Sequence, residues 1–154
     1  MRILLLTVGA PRDRELAALH DRYAHRLERL GVPYASAHVP DVASGGRYSD
    51  EHVREREAQA LLERLGVRDR CIALDSGGLT LSSAALAQRL PQWATPRATF
   101  VVGGPLGLHA SVLERAETGW SLSALTFPHE LVRVLVVEQL YRAAAALRGI
   151  PYAR

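Results

Sequence analysis

The chain of 154 residues contains no lysine and no asparagine, a single cysteine and a single methionine. One cysteine excludes an intramolecular disulfide and any cysteine-based zinc cluster. Cys71 lies in the apolar run Cys71-Ile72-Ala73-Leu74 with no histidine or lysine beside it, and reads as a buried structural thiol rather than a reactive one. Long hydrophobic runs are also missing. The N-terminal run Ile3–Val8 is too short for a signal-peptide core. The longest apolar-rich stretch, Leu131 to Leu147, is interrupted by Arg133, Glu138, Gln139 and Arg142 and does not suit a bilayer. The expectation is a soluble cytoplasmic protein with no membrane partner.

Without lysine, all 19 basic side chains are arginines, set against 16 acidic ones for a net charge of +3. Compositional bias accounts for this more simply than selection for a ligand does. No basic run or tail is present, so an anionic partner must be met by scattered arginines that the fold gathers. The six histidines show no i, i+4 pairing or carboxylate clustering of the kind a metal site needs, and no metal is expected. A Gly-x-Ser-x-Gly nucleophile elbow is likewise missing.

What is present is an alternation of short β-like runs with amphipathic stretches. Arg2–Val8 reads as a buried strand ended by Gly9 and Pro11. Asp13 to Leu30 carries Leu16, Leu19, Tyr23, Leu27 and Leu30 at helical spacing before Gly31. Tyr34–Val39 is a second strand, Ser44-Gly45-Gly46 a loop, and Ser49 opens a helix ending at Gly66. Arg70–Leu74 is a third strand, Thr80 to Leu90 a helix stopped by Pro91, and Ala98–Val102 a fourth strand. A helical piece near Ser111–Glu117, a short strand at Trp120–Leu122 and a long helix from His129 to Leu147 complete the chain. This order predicts one α/β domain over residues 1–154, its mostly parallel sheet covered by helices on both faces. Ligands of such sheets bind beyond the carboxyl ends of the strands.

Three loops qualify. Gly103-Gly104-Pro105-Leu106-Gly107 follows a strand directly, but its spacing matches neither the dinucleotide fingerprint nor a Walker loop. It is a ligand cradle or a plain tight turn. Asp75-Ser76-Gly77-Gly78 repeats the arrangement, where a plain turn is the simpler reading. Trp120 to His129 is small and hydroxyl-rich, and is either a ligand-wrapping loop or a buried connection. Two glycine loops at neighbouring strand ends together form a crevice suited to an adenine-bearing ligand. The final helix is apolar nearly all round, which predicts burial in the core or in a homodimer interface. Within it, Glu138 is spaced for an ion pair with Arg142, and Arg133 on the opposite side is equally open to a structural reading. A lone histidine such as His129 more often caps or packs than catalyses.

The stretch from Val101 to Arg154 closely resembles the ribosomal RNA large subunit methyltransferase H family of the SPOUT superfamily. The matching pieces are Gly103-Gly104-Pro105-Leu106-Gly107, Trp120-Ser121-Leu122-Ser123-Ala124-Leu125-Thr126, and Pro128-His129-Glu130-Leu131-Val132-Arg133-Val134-Leu135. Glu138-Gln139-Leu140-Tyr141-Arg142-Ala143 and Pro151-Tyr152 follow in the same order. The first half fits in length and in its opening strand, but its motifs are generic.

The resemblance implies a SPOUT-type α/β fold with a C-terminal trefoil knot, a homodimer, and S-adenosylmethionine as cofactor. It also implies methyl transfer to N3 of a pseudouridine in 23S ribosomal RNA on the assembled ribosome. Cofactor contacts fall to Leu74, to Gly103, Gly104 and Gly107, and to Leu122, Ser123, Ala124, Leu125, Thr126 and Phe127. The reaction needs an acceptor nitrogen, methyl and sulfur in line, and a group to take or stabilise the imide charge. Arg154 and Tyr152 in the tail, with Glu138, are the catalytic candidates. The tail departs from its relatives, because Ile150 and Ala153 stand where they often carry histidine, so no tail histidine serves as base. The alternative reading is a non-catalytic RNA- or ribosome-binding protein that retains the fold.

Overall fold

A computed structural model describes residues 1–43 and 46–152. Five parallel strands, β1 (Ile3–Val8), β2 (Tyr34–Val39), β3 (Arg70–Thr80), β4 (Ala98–Val102) and β5 (Thr118–Ser121), lie side by side in the order β2-β1-β4-β3-β5. The helices are α1 (Arg14–Arg29), α2 (Asp50–Arg64), α3 (Ser83–Trp93), α4 (Ala110–Arg115) and α5 (His129–Leu147).

Alternation along the strands divides the core in two. Ile3 and Leu5 of β1 and Phe100 and Val102 of β4 face Leu27, Leu90, Val136 and Leu140, from α1, α3 and α5. Leu6 and Val8 of β1, Cys71 and Val101 face the other way, onto Ala58 and Leu61 of α2 and Val112 of α4. This is the period-two pattern of a sheet covered on both sides. The scarce aromatics concentrate in the first layer, where Phe100 meets the rings of Trp93 and Trp120 edge-on, at 6.1 and 5.8 Å between centroids. Cys71 is fully buried, and that burial pushes its thiol up to about 11, with Asp69 adding to the shift and Arg115 opposing it.

Capping follows the sequence. Asp13 accepts from the Glu15 and Leu16 amides at the start of α1, and Ser49 accepts from the His52 amide at the start of α2. Several boundaries differ from expectation: Thr80, read as the start of α3, ends β3 while α3 opens at Ser83, and β5 is Thr118–Ser121 rather than Trp120–Leu122. Pro91 does not stop α3, which runs to Trp93. The proline falls in the last turn, and its carbonyl accepts from the Thr95 hydroxyl at 2.9 Å. β3 does not stop at Leu74. Its pairing with β5 jumps from Leu74↔Trp120 to Leu79↔Trp120, so Asp75–Gly78 bulge out of the ladder before the strand resumes. Gly78 then packs backbone to backbone on β5. A Cβ there would lie 2.5 Å from the Gly119 carbonyl carbon, which only glycine avoids.

The last helix spans the predicted range. It packs against both α1 and α3, and eight of its side chains are buried, including Arg133. Among the described residues no helix is long and apolar enough to cross a membrane.

Candidate functional site

The sheet ends all its strands on the same side, so the bulge of β3 and the loops after β4 and β5 meet. They enclose a cleft of about 340 Å³, floored by Leu74, Val102 and Trp120. That is the lower end of the size range of small-molecule sites, and the lining is apolar with a few polar groups, as such sites require. Gly103, Gly104 and Gly107 form one wall and Leu122, Ser123, Leu125, Thr126 and Phe127 the other. Of the ten residues the family resemblance selects, only Ala124 does not line the cleft. Asp75, Ser76, Leu106 and His129 line it as well.

Backbone geometry builds both walls. Gly104 and Gly107 form an isolated antiparallel bridge, with the Gly107 amide donating to the Gly104 carbonyl at 3.0 Å. Gly107 sits at φ +82°, which side chains resist. A Cβ on Gly103 would lie 2.8 Å from the Gly107 carbonyl carbon, so the turn closes only around glycine. A Cβ on Gly104 would instead approach the carboxylate of Glu57 at 3.1 Å and Val8 at 3.3 Å, on the side of β1 and α2. In the opposite wall the Ser121 hydroxyl donates to the Ser123 carbonyl at 3.0 Å, and the Ser123 hydroxyl accepts from the Leu125 amide at 3.0 Å. These local bonds hold the loop open around the cleft.

Glu57, at an ordinary position of α2, has no signal in the sequence that singles it out. It is 4% exposed, and its Oε1 accepts from the Val42 amide at 3.1 Å. Burial raises its carboxyl above the ordinary range, with the Val42 bond opposing and Asp41 adding to the rise.

The tail candidates gather elsewhere. Tyr152 lies 3.1 Å from the Tyr23 hydroxyl and donates to Glu138 Oε1 over 3.2 Å. Glu138 also accepts from Arg142 Nη2 at 2.7 Å and from Gln139 Nε2 at 2.5 Å. The Arg142 guanidinium stands 4.9 Å from the centre of the Tyr152 ring, and Tyr141 meets that ring edge-on at 4.7 Å. Burial, the Tyr23 bond and the neighbouring Glu138 all keep the Tyr152 phenol protonated. The expected Glu138–Arg142 pair is therefore present, and Tyr152 closes over it. Tyr23 was recognisable in the sequence only as a core-facing position of α1. Arg154 lies outside the described residues. None of Tyr23, Glu138 and Tyr152 lines the cleft; Glu138 is nine residues along α5 from His129, on the order of 14 Å.

The whole chain matches known proteins. Residues 1–153 match the family model described as "Predicted SPOUT methyltransferase". The chain belongs to the ribosomal RNA large subunit methyltransferase H family of SPOUT methyltransferases. A protein of that name from Anaeromyxobacter sp. (strain Fw109-5) is 40% identical over 154 residues, covering 99% of each chain. Another from Gloeobacter violaceus is 40% identical over 152 residues, covering 99% of this chain and 98% of the relative. A third, from Gluconacetobacter diazotrophicus, is 42% identical over 153 residues, covering 97% and 95%. Among solved structures, the A. aeolicus TrmH/SpoU tRNA modifying enzyme superposes with a TM-score of 0.50 at 12% identity, over 96% of this chain and 77% of that one, a likeness of fold alone. As a SPOUT methyltransferase, the chain is an enzyme whose methyl donor is S-adenosylmethionine.

Proposed function

We propose that this methyltransferase acts in the cytoplasm on 23S ribosomal RNA, methylating N3 of a pseudouridine in the assembled ribosome. The single observation that supports the substrate is full-length similarity, near 40%, to relatives named for the ribosomal large subunit. The cleft behind Gly103–Gly107 and Leu122–Phe127 is the proposed cofactor site, supported by its size, its glycine wall and the convergence of two loops and the β3 bulge on it. When bound, S-adenosylmethionine supplies an electrophilic methyl on a sulfonium leaving group. The chain's own task is alignment. Leu74 and Leu122 would offer apolar surface to the cofactor's adenine, and the backbone of the two walls would supply hydrogen-bonding groups.

The acceptor nitrogen of a pseudouridine is an imide and must lose its proton. Glu138, Tyr152 and Arg154 are the proposed catalytic groups. The protonated Tyr152 donates a hydrogen bond or stacks on an extruded base. Glu138 takes the proton or orients Tyr152, and the arginines stabilise the charge that develops. The separation of this cluster from the cleft within one chain supports a homodimer whose protomers share active sites. Leu131 and Leu135, one turn apart on α5, remain only half-buried and offer part of such an interface. We read the C-terminal segment as the trefoil knot the resemblance implies, supported by the docking of α5 against both α1 and α3 and by the close crossing at Gly78.

The deciding experiment pairs calorimetry with S-adenosylmethionine and mass spectrometry of ribosomal RNA from a deletion strain. Cofactor binding together with loss of one methylpseudouridine is expected. Unchanged RNA rejects the substrate, and cofactor bound by a protein that never transfers methyl leaves a binding protein instead.

A further inference from the structure

A second cavity lies on the other side of the first turn of α5. His129 and Val132 face the cofactor cleft, while Glu130 and Arg133 face this enclosed space of about 130 Å³ between β1, β2 and α1. Two buried polar groups line it without a partner. Thr7, 2% exposed, has a hydroxyl with no hydrogen bond among the described residues, and so does Nε of Arg133, which is 7% exposed. Arg133 Nη2 is engaged, donating to the carbonyls of Val8, at 3.0 Å, and of Gly9. No carboxylate makes an ion pair with the Arg133 guanidinium among the described residues, although the Glu130 carboxylate on the rim is near enough for the two charges to act on each other.

The two acids on the rim are already committed. Glu130 Oε1 accepts from the Arg12 amide at 2.6 Å and the Asp13 amide at 3.1 Å, and Asp21 meets His20 Nδ1 at 3.1 Å. A buried cation with hydrogen-bonding capacity to spare is costly unless something accepts from it. The cavity has the liquid volume of roughly four waters, enough for a compact tetrahedral or planar group. Ser36 and His38 stand exposed on the same strand face at the mouth, so the space opens along the β2 edge rather than into the cofactor cleft.

We propose that this cavity is a binding site for a small oxyanion, a phosphate or carboxylate group, held by the Arg133 guanidinium and the Thr7 hydroxyl. The guanidinium donates through Nε, the hydroxyl donates beside it, and the apolar walls from Leu5, Leu16 and Pro11 keep water from competing. The site is independent of the methyl-transfer reading, since none of its polar groups belongs to the cofactor cleft or to the tail cluster.

The test is calorimetry on the full chain saturated with S-adenosylmethionine, using inorganic phosphate, acetate and uridine 5′-monophosphate as probes. Phosphate or acetate is expected to bind despite the occupied cleft. Uridine monophosphate binding alongside phosphate places the anion at a nucleotide end, and its failure to bind places a free ion there. Thr7→Val removes the hydroxyl while keeping the shape, and should weaken the anion about tenfold, the worth of one charge-assisted hydrogen bond. A selenate soak should place its anomalous peak between Thr7 and Arg133, a readout that needs no variant. Absence of binding at millimolar phosphate and acetate, equal affinity in Thr7→Val, or selenate located elsewhere each overturns the proposal.

Discussion

The hydroxyl of Tyr152 donates to Oε1 of Glu138 over 3.2 Å, joining the tail to the middle of the last helix across fourteen positions of sequence. The same carboxylate is held by Arg142, so the phenol, the acid and the cation form one unit. Replacing Tyr152 by Phe deletes the donor and keeps the ring. Methyl transfer should fall about a hundredfold, the lower range for a positioned proton-handling group. Cofactor affinity by calorimetry should change little, because the deleted hydroxyl is proposed to act on the acceptor base and the cleft lining of each chain is left intact. A transfer rate equal to wild type would remove Tyr152 from the mechanism.

Gly103→Val tests the cleft. The added carbons meet the Gly107 backbone, where even a Cβ would lie at 2.8 Å, so the turn must open and its wall must move. S-adenosylmethionine binding should weaken at least roughly tenfold, with circular dichroism still showing the α/β fold. Gly104→Val is the less clean choice, because its side chain presses on Glu57 and Val8 instead.

Gly78→Ala reports on the fold. Its Cβ would collide with backbone on β5, 2.5 Å from the carbonyl carbon of Gly119 and 2.6 Å from the nitrogen of Trp120, and neither strand can yield cheaply. A loss of about 3 kcal/mol is expected, comparable to overpacking in a well-packed core. The thermal midpoint should drop by several degrees.

Asp69 makes a pH-dependent contribution. Its nearly buried side chain receives Arg97 Nε at 2.8 Å, the Gly66 amide at 2.9 Å and the Thr99 hydroxyl at 3.0 Å. Burial alone would raise its carboxyl, but these donors and the Arg97 charge outweigh it and hold the group below its ordinary value. A depressed folded-state pKa means the stabilisation is complete above the unfolded-state pKa and disappears as pH falls through the folded-state one. Asp69→Asn should therefore cost about 2 kcal/mol at neutral pH, and denaturant titrations should show the gap to wild type closing in acid. A gap that stays constant with pH contradicts the assignment.

Much of the site was readable because it is local. Gly103–Gly107 and Leu122–Phe127 are contiguous segments, and the rule that ligands sit beyond parallel strand ends brings them together from the sequence alone. Asp75–Gly78 was readable in part. Asp75 and Ser76 reach the cleft as a loop there should, but Gly78 is needed for a close crossing, which its identity alone does not distinguish from a ligand contact. Pro91 misled because a proline in the last turn of a helix looks the same in sequence as one that ends it.

Glu57 and Tyr23 were hidden for another reason. Each stands at an ordinary helical position, and only the approach of Gly104 and Val42 to one, and of the tail to the other, gives it a role. The sequence by itself determined the alternating elements, the two-faced sheet and the apolar last helix, since these follow from periodicity within each segment. It also carried the family, because the matching motifs are continuous strings of residues. Tertiary structure alone decided that Tyr152 meets Glu138, that Asp75–Gly78 bulge from β3, and that Arg133 is buried beside an unpartnered Thr7. Those relations join residues far apart in the chain, and their energetics depend on burial and partner geometry that no local pattern encodes.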